Sequence, residues 1–284
     1  MDRRDVLTGL AGTAALPAKA AAPTKTANAE GAVVLITGSN RGIGLGFVEV
    51  FLARGAKRVY ATGRNPKNLD AVVALDPKRV VPLELDVTND AQRRACAAKA
   101  TDVTWLINNA AYTGDLHKPE ERRFLSASNL DDIKRAMDTN CWSPAELARL
   151  FIPHIRKNGG GAVVNILSVG AMYCLPEFSS YSTSKAAAAI MSSGLRAETD
   201  REPILIASIY TGGVKTRAAP GGYGIPPNEH ANLVLDAIAR GEEVIYVPKG
   251  AADMRDRLNA DPKLFERNNI ERFYKNPVTI APYD

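Results

Sequence analysis

With 284 residues, 45% hydrophobic and 24% charged, the chain can bury a sizeable core and is too apolar to be disordered. The formal net charge of +5 comes from 36 Lys and Arg mixed with 31 Asp and Glu, without any basic block, so no nucleic-acid footprint is expected and the excess is read as solubility plus local phosphate binding. The cysteines Cys96, Cys141 and Cys174 and the histidines His117, His154 and His230 show no ligand or disulfide spacing, so no metal is expected and the cysteines read as small buried hydrophobes.

Residues 1–30 read as a leader rather than fold. Arg3-Arg4 opens a basic end, the Leu7 to Leu16 stretch is mildly apolar, and Ala18-Lys19-Ala20 offers an A-x-A cleavage point. This pattern is twin-arginine-like and predicts a periplasmic protein exported already folded; the alternative is a disordered cytoplasmic tail. The apolar stretch falls short of the about 20 residues a membrane span needs, so no membrane association is expected.

From there strands are predicted near 33–37, 58–62, 80–85, 103–107, 162–168, 203–210 and 243–247, with helices near 42–54, 67–75, 89–100, 129–156, 178–201 and 228–240. Alternation of this kind predicts an α/β fold, a Rossmann-like doubly wound parallel sheet of about seven strands with helices on both faces. The sheet domain is placed at 31–248 and a C-terminal helical tail of one or two helices at 249–284.

The first strand, Val33 to Thr37, runs straight into Gly38-Ser39-Asn40-Arg41-Gly42-Ile43-Gly44 and then an amphipathic helix. Glycines there allow a tight turn and a close approach to a pyrophosphate, and the helix start offers free N–H groups to it. The second strand ends Ala61-Thr62-Gly63-Arg64-Asn65 with no acid at the point, about 20 residues after the loop, where NAD-preferring folds carry one. Arg64, joined by Arg41, instead suits the extra phosphate of NADP(H).

Farther on, Ser168 ends an apolar run that reads as a buried strand, where α/β sheets place ligands. Tyr181 and Lys185 stand four apart on a predicted helix and face the same way. A phenol titrating near pH ~10 must drop by roughly three units to exchange protons readily at neutrality, and a nearby ammonium could supply much of that.

With these pieces the chain resembles the short-chain dehydrogenases/reductases in their single-domain form, over roughly Gly31 to Pro248. The marks are Thr37-Gly38-x-x-x-Gly42-Ile43-Gly44, Asp86-Val87, Asn108-Asn109-Ala110, Asn140, Ser168, Tyr181 and Lys185, in family order. The resemblance implies a strand order 3-2-1-4-5-6-7 and a carbonyl–alcohol oxidoreductase with Tyr181 as proton donor or acceptor. By it, Ser168 holds the reacting oxygen, and Lys185 lowers the phenol pKa and binds the nicotinamide ribose. Asn140 holds a water linking Lys185 to solvent, although read without the family it is a helix-distorting polar residue. Asp86 contacts the adenine amino group, Val87 packs on the ring, and Val214 and Thr216 anchor the carboxamide. Asn109 belongs to the cofactor set, while the alternative for Asn108 is a purely structural part, holding adjacent strands through its amide.

Ala111, where glycine is usual, and Thr211, where proline is common, depart from the family pattern. The resemblance also implies a homodimer or homotetramer through the helices carrying Ala186 to Met191 and Leu147, Leu150 and Phe151. The substrate is expected to be a small-molecule carbonyl or alcohol, an apolar aldehyde or ketone, in a pocket drawn from Met172, Tyr173, Leu175, Pro176, Phe178 and Tyr223. Arg217 to Pro227, rich in Gly and Pro, reads as a lid. Two rival readings are a nucleotide-sensing module without turnover, which the intact Ser168, Tyr181 and Lys185 disfavour, and an NAD-dependent epimerase or dehydratase, which the arginine pair disfavours.

Overall fold

The computed structural model describes residues 25–216 and 223–275. Seven strands pair in parallel: β1 (Val33–Ile36), β2 (Arg58–Gly63), β3 (Val80–Glu84), β4 (Trp105–Asn108), β5 (Gly161–Ile166), β6 (Ile204–Thr211) and β7 (Val244–Val247). Their order across the sheet is β3-β2-β1-β4-β5-β6-β7, the order the resemblance implied. The order of strand addition reverses between β1 and β4, which lie side by side, with Val34 opposite both Val59 and Trp105. Ligands of such sheets bind at this switch point, outside the strands' carboxyl ends.

Because both faces are covered, the strands can be apolar throughout. Val34 and Ile36 face a layer formed by α1 (Gly42–Ala53) and α7 (Pro227–Ala239), where Phe47, Phe51, Val234 and Ile238 are fully buried. Val33 and Leu35 face the other layer, where α3 (Asp90–Lys99) supplies Cys96 and Ala97 and α5 (Ser143–Lys157) supplies Leu147, Phe151 and Ile155. Across β4 and β5, Asn108 Nδ2 donates to Asn165 Oδ1 at 2.8 Å, so Asn108 does tie neighbouring strands.

Three boundaries depart from expectation. The fold begins ahead of Gly31: Ala27 and Ala29 belong to the core, and Lys25 Nζ donates to the Thr199 carbonyl at 2.6 Å. The export-signal motif in residues 1–24 and the Arg217–Gly222 part of the expected lid lie outside the described residues. The helix predicted over 129–156 is divided into α4 (Asp131–Met137) and α5, with a π-helical turn at Asp138–Trp142 between them. Pro144 lacks the N–H that would close the α-helical bond to the Asn140 carbonyl, and the Asn140 amide bonds outside its own helix, so the turn opens. In place of the 67–75 helix stand a 3₁₀ turn at Pro66–Leu69, begun by Asn65 accepting from Lys67 N, and the one-turn α2 (Asp70–Val73).

The long helix α6 (Ser179–Glu198) carries Tyr181 and Lys185. The tail forms two helices, α8 (Lys249–Ala260) and α9 (Pro262–Lys275), and α9 buries no residue completely. Among the described residues no helix is long and apolar enough to cross a membrane. Cys96 and Cys141 are buried as expected, but Cys174 is exposed, because it sits on a surface turn rather than on a strand or helix face.

Candidate active site

A cleft of about 920 Å³ runs along the carboxyl ends of β1 to β4. Of the residues expected to hold a cofactor, Gly38, Asn40, Arg41, Gly42, Ile43, Arg64, Asp86, Val87, Asn109 and Thr216 line it. Gly42 sits at φ 55°, a left-handed conformation that side chains resist. The N-cap Arg41 makes no side-chain cap and the first turn of α1 holds no acid, so the helix's amino-terminal N–H groups and positive dipole end remain available to an anion.

Gly44 does not line the cleft. A Cβ there would stand 2.3 Å from the Gly38 carbonyl oxygen and 2.7 Å from Asn109 Nδ2, so this glycine serves the close packing of α1 on the loop. Asn109 braces the same loop, its amide donating to the Thr37 and Gly38 carbonyls at 2.8 and 3.1 Å. Val214 is buried and bridged to Ile225 rather than facing the cleft.

Beyond Gly63 the cleft adjoins a recess of about 230 Å³ lined by Asn40, Arg41, Gly63, Arg64, Asn65 and Asn68. Two guanidinium groups and amides with no carboxylate form an anion site by their chemistry. Across from it lies Asp86. Burial works to raise this carboxyl, but hydrogen bonds from Thr88 N and Thr88 Oγ1, at 3.0 and 2.7 Å, and the charges of Arg64 and Arg135 hold it below the usual carboxylate value. Arg135 is a lining residue that sequence reasoning missed, its guanidinium 4.5 Å from the Tyr112 ring centroid. On α4 it reads as an ordinary solvated charge, and only the topology carries it to the cleft.

Ser168, at the end of β5, caps a 3₁₀ turn (Val169–Ala171), its Oγ accepting from Gly170 N at 3.1 Å. Its hydroxyl also acts on the Tyr181 phenol, favouring the phenolate. One turn along α6, Lys185 is buried, its Nζ donating to the Ile166 carbonyl at 2.7 Å and lying 5.7 Å from the Tyr181 ring centroid. The lowered phenol pKa expected from the sequence is not found: burial raises it above its ordinary value, and the Ser168 hydroxyl only partly opposes this. The ammonium points at the strand carbonyl and the ring rather than at the hydroxyl, and burial brings Lys185 itself down to about 8.

The Asn140 side chain is fully engaged within the protein. Its Nδ2 donates to the Tyr112 carbonyl at 2.7 Å and to Ser184 Oγ at 2.8 Å, while Oδ1 accepts from Tyr112 N at 2.8 Å. The side chain thus fastens the cleft-lining Tyr112 strand end to α6, which agrees with the helix-distorting reading. Thr211, in place of the common proline, has Oγ1 3.1 Å from Nε2 of His230. That imidazole is wholly buried against Phe47, and desolvation pushes it down to about 4. The hydroxyl is thus a hydrogen-bond partner for a buried neutral ring.

The family model for short chain dehydrogenase matches residues 32–221, which contain the glycine loop, Asp86, Asn109, Ser168, Tyr181 and Lys185. This chain belongs to the short-chain dehydrogenases. It is therefore an enzyme, an oxidoreductase. It is 31% identical to a fatty acyl-CoA reductase of Acinetobacter baylyi over 226 residues, 75% of each chain. It is 30% identical to a short-chain dehydrogenase of Talaromyces islandicus, over 75% of this chain and 72% of that one. Among solved structures it resembles a short-chain dehydrogenase of Burkholderia cenocepacia in complex with NADP, at 34% identity and TM-score 0.77, covering 85% of this chain and 98% of the other. A Sphingobium yanoikuyae short-chain dehydrogenase in complex with NADPH follows at 25% identity and TM-score 0.69, over 83% and 95% of the two chains.

Proposed function

We propose that this short-chain dehydrogenase interconverts a small carbonyl compound and its alcohol with NADP(H), Tyr181 passing the proton. The observation that carries the reading is a buried Lys185 tied to the Ile166 carbonyl beside the Tyr181 ring, with Ser168 at the end of the same strand, next to strand ends that form a dinucleotide cleft. The cleft fits the cofactor: an uncapped helix start for the pyrophosphate, Asp86 for the adenine end, and Arg41 and Arg64 around a recess sized for a phosphate. The NADP and NADPH bound to the two similar structures support the same choice.

When bound, the reduced nicotinamide supplies the hydride. Tyr181 Oη gives its proton to the substrate's carbonyl oxygen, while Ser168 Oγ–H bonds that oxygen and holds it in line. A phenol raised above its ordinary value stays protonated through neutral pH, the form in which it can donate. Lys185, anchored to the Ile166 carbonyl, places a cation beneath the phenolate as it forms. Asn140 keeps the Tyr112 strand end and α6 in register around them.

For the substrate we favour an apolar aldehyde or ketone, a reading that the acyl-CoA reductase among the relatives supports. Export by a twin-arginine-like leader and self-association through α5 and α6 complete the proposal. Exposed Trp142 and Ile190 support the second, which size-exclusion chromatography tests. The deciding assay follows NADPH and NADH oxidation with a panel of aldehydes and ketones. NADPH consumption with equal alcohol formation is expected; binding without turnover would leave a sensor, and product isomerisation without net consumption an epimerase.

A further inference from the structure

The segment that joins Ser168 to Tyr181 makes no strand or long helix. It holds two 3₁₀ turns, Val169–Ala171 and Pro176–Phe178, with few backbone bonds of its own. A loop of this kind between two reacting residues needs bracing from elsewhere. That bracing comes largely from the far end of the chain. Phe265 of α9 packs edge-on against Tyr173 with ring centroids 4.9 Å apart. Asn269 Nδ2 donates to the Cys174 carbonyl at 2.6 Å. Arg272 grips Glu177 in a two-pronged ion pair, Nη1 to Oε1 at 2.5 Å and Nη2 to Oε2 at 3.0 Å.

Positions 265, 269 and 272 recur at the spacing of one helix face, so a single stripe of α9 lies along 173–177. The pair is well placed to matter: Glu177 is only 6% exposed, and a forked arginine contact fixes orientation as well as charge. The buried Arg122 guanidinium lies 4.5 Å from the ring centroid of the neighbouring Phe178, so a second arginine braces the same segment. By contrast α9 buries no residue completely, so these contacts carry much of its own attachment.

We infer that Arg272 is a positioning residue for the reaction, acting through Glu177 to set the 173–178 segment that walls the substrate side of Ser168 and Tyr181. α9 is then part of what decides which carbonyl compounds fit. This rests on the carbonyl-reductase reading for its kinetic test but not for its structural one. Docking of α9 leaves the cofactor cleft untouched, since none of its residues lines that cleft.

The test compares Arg272→Ala, Arg272→Lys and the charge swap Glu177→Arg with Arg272→Glu in the full-length protein. With the carbonyl compound that wild type reduces best, Arg272→Ala is expected to raise KM roughly tenfold at an unchanged NADPH Kd, a misplacement effect rather than loss of cofactor. Arg272→Lys, keeping charge without the fork, falls between, and the swap recovers most of the loss. Hydrogen exchange provides a readout independent of turnover: the amides of Leu175 and Phe178, bonded at 3.2 and 2.8 Å to Ser182 Oγ and the Leu175 carbonyl, lose protection in Arg272→Ala and regain it in the swap. Unchanged protection in Arg272→Ala, or lost protection with KM and substrate preference unmoved, would overturn the inference. If wild type reduces no carbonyl compound, the function reading fails and the exchange result still decides the clamp.

Discussion

The two walls of the site are built differently. On the cofactor side, each loop is closed by neighbours of the same βα unit or of the adjacent strand: Ser39 Oγ donates to the Thr62 carbonyl at 3.1 Å, Thr62 N donates back at 2.7 Å, and Asn109 ties down the glycine loop. On the side proposed to face the substrate, the 173–178 segment depends on side chains from α9 and from the stretch before α4. The contrast teaches that the nucleotide geometry is set by backbone and small residues close in space to the sheet. The substrate wall is assembled from distant sequence, so it can change without disturbing the cofactor.

The sharpest way to break the comparison is Tyr181→Phe, which removes the proton donor and should cut turnover ~10³-fold while NADPH Kd stays within about twofold. Cofactor binding that collapsed along with turnover would mean the two walls are not independent. His230 gives the next effect. Its imidazole titrates near 6.5 when exposed but only at about 4 in the fold, so between these values the unfolded chain holds the extra proton. Stability is therefore full above pH 6.5 and falls by about 3 kcal/mol as pH drops toward 4, by the usual conversion of a pKa shift. Urea midpoints measured across that range check it, and His230→Phe should flatten the limb.

Gly44→Ala tests the cofactor wall alone. Its Cβ would meet the Gly38 backbone carbonyl oxygen at 2.3 Å, and overpacking of this kind costs about 2 kcal/mol. The melting temperature should drop and NADPH affinity with it, while exchange of the 173–178 amides holds. The smallest effect expected is from Arg64→Ala, which should weaken NADPH by roughly tenfold and leave NADH unchanged, measured by fluorescence titration. Equal losses for both dinucleotides would remove Arg64 from the phosphate recess.

What could be read from the sequence follows the same division. The glycine loop and the Ser168, Tyr181 and Lys185 set are carried by short local patterns and the strand order by the family resemblance; the structure reproduces that order and brings the loop and the three residues to the carboxyl ends of central strands. The apolar spacing of 129–156 continues through the break at Asn140, so only the residue itself reads as helix-distorting. Pro144 and the bonding of Asn140 across to Tyr112 and Ser184 together show why the helix opens. Arg135 and Arg272 were invisible for a similar reason. Each is one charge among many on a polar helix, and its partner, the Tyr112 ring or Glu177, lies far away in sequence. The sign of the phenol shift was misjudged because sequence shows Lys185 close by but not how deeply both groups are buried.

The central claim is that Tyr181 protonates a carbonyl oxygen while hydride arrives from a nicotinamide held in the neighbouring cleft. Turnover of an aldehyde with NADPH deuterated at its hydride position tests it most directly. The account predicts alcohol carrying the label on its carbinol carbon, one for each NADPH oxidised, and almost none from Tyr181→Phe under the same conditions. NADPH oxidised without label reaching the alcohol, or Tyr181→Phe transferring it at close to the wild-type rate, would contradict the account.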